Sequence, residues 1–372
     1  MLYHVGMFVY FILALLVPAG FYLFRKNEKR DLIVTSAIFF LFFLLLCLRN
    51  TFGFLDLPGY YSFFAEIKNE TFLSIVKGTH FLKPHDILKI ESGYVWFNWI
   101  MAKAGFGFQW ILIVHAFVVS LSLFLFVKRY SLNPCLAVFF YLCIGGLTDH
   151  TYIVRQSFAF AILLFAIPAV VEKKPIKFLL IVILAALFHR TAISFLLIYP
   201  LSYIKVNRKT GIIAIIATLL VLLVIPILFP LVKYIFTLMQ KTSYIDAMGE
   251  PDFRQTILLI AAMLVFALFI KPKEKEFSHS DEVMFWLVII SLLFMNLSVY
   301  LPILSRVGMS MYFPFSMILV PNAIEMNEDK ALTKKVKIAL AVCLYVYLIY
   351  IVLSQNYSFS FIWEGAESML VG

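Results

Sequence analysis

Residues 108–127 read FQWILIVHAFVVSLSLFLFV, with no Asp, Glu, Lys or Arg among them. Twenty residues at ~1.5 Å each make a helix of ~30 Å, the thickness of a bilayer's hydrocarbon core. Lys128 and Arg129 follow at once. Outward from this stretch, further apolar runs lie at 2–24, 32–48, 134–147, 153–171, 178–188, 191–204, 212–238, 255–270, 283–301, 307–323 and 336–353. Of the 372 residues 63% are apolar and 14% are charged. A soluble chain has about 45–50% and about 25%. These figures exclude a water-soluble, a disordered or a fibrous protein. The runs are continuous rather than alternating, which argues against a transmembrane barrel. The reading is an all-α polytopic integral membrane protein with about 12 membrane segments, forming a single transmembrane domain over 1–372.

The charges set a topology. Basic loops at 25–30, 128–129, 173–177, 205–209, 271–275 and 330–337 hold 4, 2, 3, 3, 3 and 4 Lys/Arg, or 19 of the chain's 31. The positive-inside rule places all six loops in the cytoplasm and both termini outside. The net charge of +10 then reflects topology and implies no nucleic-acid partner. Two segments depart from the pattern. Residues 49–107 form one long extracytoplasmic segment, with an interfacial helix expected in it, anchored by Trp96, Trp99 and Trp110. Residues 178–204 lie between two lysine-rich loops, yet each half is too short to span. A short re-entrant hairpin with His189-Arg190-Thr191 at its tip is expected. Cys47, Cys135, Cys143 and Cys343 all lie in apolar runs and read as free buried thiols.

Five arginines lie at the outer ends of predicted segments: Arg49, Arg155, Arg190, Arg254 and Arg306. Guanidinium stays charged when partly buried and grips phosphate or carboxylate in a bidentate fork. Headgroup snorkelling explains any one of them. Five on one face suggest a binding site for a large anionic group such as a pyrophosphate. Among the outer acids and histidines, His189, Glu91 and Asp56 are the candidate proton acceptors. Each has a plainer alternative: a hydrogen-bonded structural histidine, a helix cap for Glu91, and an ion pair with Arg49 for Asp56. The chain has no Walker A pattern, dinucleotide fingerprint, HExxH or GxSxG. It also lacks acid clusters of the kind that hold Mg²⁺ or Mn²⁺. The chemistry expected is therefore free of metal and cofactor.

Certain short motifs resemble a known family. These are Arg49-Asn-Thr-Phe-Gly53-Phe-Leu-Asp56 with Tyr60, Glu91-Ser-Gly93-Tyr94, Arg155-Gln156-Ser-Phe-Ala159, Ala185-Ala-Leu-Phe-His189, and Ser305-Arg306 with Tyr312-Phe313. In order, they resemble the EpsG-like branch of the Wzy-type polymerases of O-antigen, capsule and exopolysaccharide. The family pattern has one residue between the glycine and the aspartate, whereas Phe54 and Leu55 make two here. The resemblance implies a glycosyltransferase of the bacterial inner membrane. Such an enzyme joins glycan repeat units carried on undecaprenyl pyrophosphate, on the outer face. The implied partners are donor and acceptor lipid-linked oligosaccharides, membrane lipids and a chain-length regulator protein. Tyr60, Tyr94, Gln156 and Tyr312 join the arginines as substrate-binding candidates. The rival readings are a transporter or flippase of the same lipid-linked glycans, and a glycan ligase. A flippase commonly carries two related halves, and no internal repeat is visible here.

Overall fold

The computed structural model describes residues 28–49, 56–77, 90–238, 277–327 and 329–354. The apolar runs at 2–24 and 255–270, and Arg254, lie outside the described residues. Among the described residues all regular structure is helical. Four helices are long and apolar enough to cross a membrane: Phe108–Tyr130, Val154–Val171, His279–Ser298 and Leu304–Glu325. They fit a multi-pass membrane protein. The described residues group into two compact units, one drawn from 1–167, 176–193 and 339–372, the other from 168–175 and 194–338.

In the first unit, α1 (Glu28–Cys47) is followed by three short helices, α2 (Leu57–Ile67), α3 (Phe72–Lys77) and α4 (Ser92–Lys103). Then come α5 (Phe108–Tyr130), α6 (Pro134–Cys143), α7 (Gly146–Tyr152) and α8 (Val154–Leu164). Further along the chain come α9 (Ile167–Val171), whose residues from Pro168 on belong to the second unit, and α10 (Pro175–Ala186), which is back in the first unit from Ile176. Local chemistry sets the boundaries. Pro58 stands in the first turn of α2. Pro134 opens α6, and the Asn133 side chain caps it by accepting from Leu136 N at 3.0 Å. Gly145, at φ +82°, ends that stretch in a left-handed conformation that glycine adopts without strain. The expected run 134–147 is thereby two helices. Pro168 splits 153–171 likewise. Phe165 N and Ala166 N bond three residues back, to Ile162 O and Leu163 O, because proline lacks a donor and disrupts the α ladder.

The core of this unit shows where residues 56–77 and 90–103 pack. Leu57, Phe63, Phe64 and Ile67 of α2 and Tyr94 and Val95 of α4 are buried together with Phe108, Ile111 and Leu112 of α5 and Val154 and Phe158 of α8. The segment is thus packed onto the starts of two spanning helices. α1 packs against α5, and α5 against α8. Three of the four cysteines are buried as expected; Cys343 is exposed, which corrects the reading that all four are buried. It sits on a helix, Lys330–Ser354, whose described face also exposes Ile338, Val342 and Val346.

In the second unit, α11 (Ile198–Leu201) and α12 (Arg208–Leu238) pack against α13 (His279–Ser298). Ser278 caps α13 by accepting from Asp281 N at 3.2 Å, and Asp281 and Glu282 occupy its first turn, where acids suit the helix dipole. The run expected as one helix over 307–323 is interrupted. α14 (Ile303–Val307) passes through a π turn at Gly308–Tyr312 and a 3₁₀ turn at Phe313–Phe315 before α15 (Ser316–Glu325). Pro314, inside the 3₁₀ turn, has no N–H to continue the ladder.

Candidate active site

Glu91 occupies the N-cap position of α4 with an extended backbone, yet its side chain does not cap the helix. It turns instead to two guanidinium groups. Arg155 Nη1 donates to Glu91 Oε2 at 2.7 Å. Arg190 donates to Glu91 Oε1 twice, from its backbone N at 3.1 Å and from Nε at 3.3 Å. The three side chains are graded in exposure: 8% for Glu91, 22% for Arg155 and 58% for Arg190. Burial pushes the Glu91 carboxyl pKa up. The Arg155 charge and the Arg190 N–H then pull it further down, so the group ends below its ordinary value of 4.5.

Three elements bring these residues together. Arg155 is the second residue of α8, and its guanidinium lies over the Tyr60 ring of α2, 5.7 Å from the centroid. Tyr60 meets Tyr94 edge to face at 5.8 Å, and Tyr94 stacks on Phe63 at 6.0 Å. Arg190 opens a 3₁₀ helix, Arg190–Leu197, after the chain turns at Leu187-Phe188-His189. That turn is fastened to the start of α4, because Gly93 N and Tyr94 N both donate to Leu187 O, at 2.8 and 3.3 Å. Position 93 has to be glycine. A Cβ there would lie 2.7 Å from Leu187 O and Cβ and 2.9 Å from Leu187 C. His189 adjoins the cluster, and its protonated form lowers the Glu91 pKa further. Its Nδ1 lies 2.9 Å from Thr191 Oγ1 and 3.3 Å from Thr191 N.

The remaining candidates are placed as follows. Arg49 is wholly buried. Its Nη1 donates to Leu46 O at 2.6 Å and its Nη2 contacts His115 Nδ1 at 3.2 Å. No carboxylate among the described residues pairs with it, so the ion pair with Asp56 is not formed. Asp56 stands at the N-cap of α2 without a side-chain cap. Gln156 is buried. In the second unit Arg306 is exposed. Tyr312 is buried, with its ring stacked on Phe195 at 5.6 Å and on Phe294 at 5.7 Å, and its hydroxyl donates to Ser194 Oγ at 3.0 Å. His150 is buried between Tyr141 Oη at 2.5 Å and Ser157 Oγ at 2.7 Å. Sequence reasoning missed His115, whose only signal is a histidine inside an apolar run. It also missed the Leu187 carbonyl, which has no sequence signal. Among the described residues no three His, Cys, Asp or Glu side chains converge as a metal site requires.

The arrangement is a carboxylate flanked by two guanidinium groups, with a histidine and a tyrosine pair beside it. Two positive charges against one negative leave a site that favours an anion. No curated protein and no solved structure is similar enough to the chain to count as a match. The sequence model of one family, described as the EpsG family, matches residues 31–363, nearly the whole chain. The chain belongs to the EpsG family, a family of Wzy-like polymerases.

Proposed function

We propose that the protein is a polysaccharide polymerase that takes a glycan chain from a lipid pyrophosphate and joins it to the next lipid-linked repeat unit. The family supports an exopolysaccharide- or O-antigen-polymerase-like activity. The observation that carries the finer reading is Glu91 holding Arg155 and Arg190, which are 64 and 99 residues away in sequence, at one point. Glycosyl transfer from a lipid pyrophosphate needs no general acid, because the leaving group is a stable anion. It needs positive charge where the phosphate charge develops. Two oriented guanidinium forks supply that charge, so this reading requires no metal ion. Undecaprenyl pyrophosphate is the carrier implied for donor and acceptor.

The acceptor hydroxyl needs a positioned base. Glu91 is shared by two arginines and held below its ordinary pKa, which makes it a weak base; its part is to position the two arginines. His189 is the better candidate. The Thr191 backbone N–H donates to Nδ1 at 3.3 Å, so in this reading Nδ1 carries the lone pair and takes the proton. Asp56 ranks next. The proposed placement is the bacterial inner membrane, with the site on the outer face and about 12 segments including the hairpin over 178–204. The Lys/Arg bias supports the orientation, and the end of α10 at Ala186, before the 3₁₀ turn, supports the hairpin. The test is the lipid-linked glycan ladder of a deletion strain complemented with each variant. A polymerase leaves single repeat units on the surface when lost, and Arg155→Lys and Glu91→Gln should do the same. A deletion that leaves no surface units would make the protein a flippase instead.

A further inference from the structure

The outer segment carries an apolar surface that the active-site cluster does not use. Phe72, Leu73 and Val76 of α3 are 61%, 57% and 56% exposed, and Ile100 of α4 is 55% exposed. Positions 72, 73 and 76 share one helix face, while Ile75, beside that face, is buried in the core of the unit. Two of the three tryptophans expected as membrane anchors also pack within the segment. Trp96 and Trp99 pack on Phe72 with ring centroids 5.8 and 5.9 Å away, and Trp99 Nε1 donates to Glu70 O at 3.0 Å. They form the platform under the exposed face, and the indole N–H of Trp99 is satisfied within the protein.

Three lysines rim this face: Lys68, Lys77 and Lys103 are all exposed. Lys103 is fixed in place, with Nζ donating to Lys68 O at 3.0 Å and lying 5.9 Å over the Trp99 ring. Neither helix can cross a bilayer. α4, the longer, has 12 residues, or ~18 Å. The face also continues a membrane-exposed stripe. After α4, Phe106 and Trp110 are exposed with their rings 5.3 Å apart, and Phe117, Leu121 and Leu125 extend the exposed side of the spanning helix α5.

From this surface we infer that α3 and α4 lie flat on the lipid bilayer, with Phe72, Leu73, Val76 and Ile100 in the upper acyl region and the three lysines at anionic headgroup phosphates. The apolar face, the basic rim and the adjoining stripe on a spanning helix all match a lipid surface. Glu91 is the residue at which α4 begins, so docking fixes the depth of the Glu91–Arg155–Arg190 cluster at the level of lipid-borne phosphate. That last step rests on the proposed function; the docking itself does not.

The test needs no activity measurement. Phe72→Cys, Leu73→Cys, Val76→Cys and Ile100→Cys are each made with Cys343→Ser, because Cys343 is the exposed native thiol among the described cysteines. Each full-length variant is labelled with an environment-sensitive fluorophore and reconstituted in vesicles of phosphatidylethanolamine and phosphatidylglycerol. Glu66→Cys, on an exposed polar position of α2, is the aqueous control. Blue-shifted emission at the four apolar sites is expected, quenched by phospholipids with a nitroxide near the head of the acyl chain and protected from iodide. The control should show the reverse. Quenching by iodide at the four sites as strong as at position 66 overturns the inference. So does protection from both quenchers, which would mean that a protein partner or a second copy covers the face.

Discussion

Replacing Glu91 with glutamine keeps the side chain's volume and one acceptor oxygen, and removes the charge that Arg155 and Arg190 share. The two interactions differ in a way that sets their magnitudes. Arg155 lies 2.7 Å from Glu91 at 22% exposure, whereas the Arg190 side chain lies at 3.3 Å and 58% exposure. Two unit charges ~4 Å apart interact by about 4 kcal/mol at an effective dielectric constant of 20, before desolvation and side-chain entropy are subtracted. A hydrogen bond to a charged group retains about 1.5–3 kcal/mol. An exposed ion pair retains about 0.2–1 kcal/mol. Double-mutant cycles on denaturant unfolding in detergent micelles separate the two. Glu91→Gln combined with Arg155→Gln should give a coupling of about 1.5–3 kcal/mol. Glu91→Gln combined with Arg190→Gln should give less than about 1 kcal/mol. Couplings in the reverse order, or a value near zero for the Arg155 pair, would refute the view that the less exposed Arg155 pair is the stronger arm of the cluster and the more exposed Arg190 pair the weaker.

Gly93→Ala should destabilise by about 1–3 kcal/mol, the range for overpacking, and should abolish polymerisation, because the new Cβ meets Leu187 backbone at 2.7 Å and displaces the turn carrying His189 and Arg190; unfolding and the glycan ladder together check it. Arg49→Lys should cost about 1–3 kcal/mol, since one ammonium nitrogen cannot reach both Leu46 O and His115 Nδ1 and leaves a buried group unpaired. The pH dependence follows from the depressed pKa of Glu91. The stability that Glu91 contributes is fully present above its unfolded value, near 4.5, and is lost as pH falls through the lower folded value. The difference in unfolding free energy between the wild type and Glu91→Gln should stay flat from pH 7 to about 5 and shrink below about pH 4.5.

The fold was most legible where the signal is local. The run 108–127 is the helix Phe108–Tyr130, and 283–301 is close to His279–Ser298, because an uninterrupted apolar stretch with a capping residue leaves the backbone few alternatives. It was less legible where proline and side-chain packing interrupt the ladder. The run 191–204, expected to be helical, is a 3₁₀ turn over Arg190–Leu197 and a single α turn, and 307–323 contains a π turn. The site divides in the same way. The residue types were legible: an arginine at the expected outer end of an apolar run stands out against its surroundings. Their partners were not. Glu91 reads locally as a helix cap, and only the folded chain shows it pairing with residues 64 and 99 positions away. Gly93 belongs to a recognisable motif, but the Leu187 carbonyl that demands it carries no side-chain signature.

In the proposed function Glu91 holds Arg155 and Arg190 as a receptor for lipid-borne pyrophosphate, and His189 beside them takes the acceptor proton. Purified protein in vesicles, supplied with undecaprenyl-pyrophosphate-linked repeat units, tests this by the length distribution of the glycans formed. The wild type should build a ladder without added metal. Arg155→Lys, which keeps the charge and loses the fork, should slow polymerisation and raise the donor concentration needed. His189→Ala should lower turnover by about 10²–10⁴ with donor binding retained. Wild-type ladders from both variants would contradict the claim.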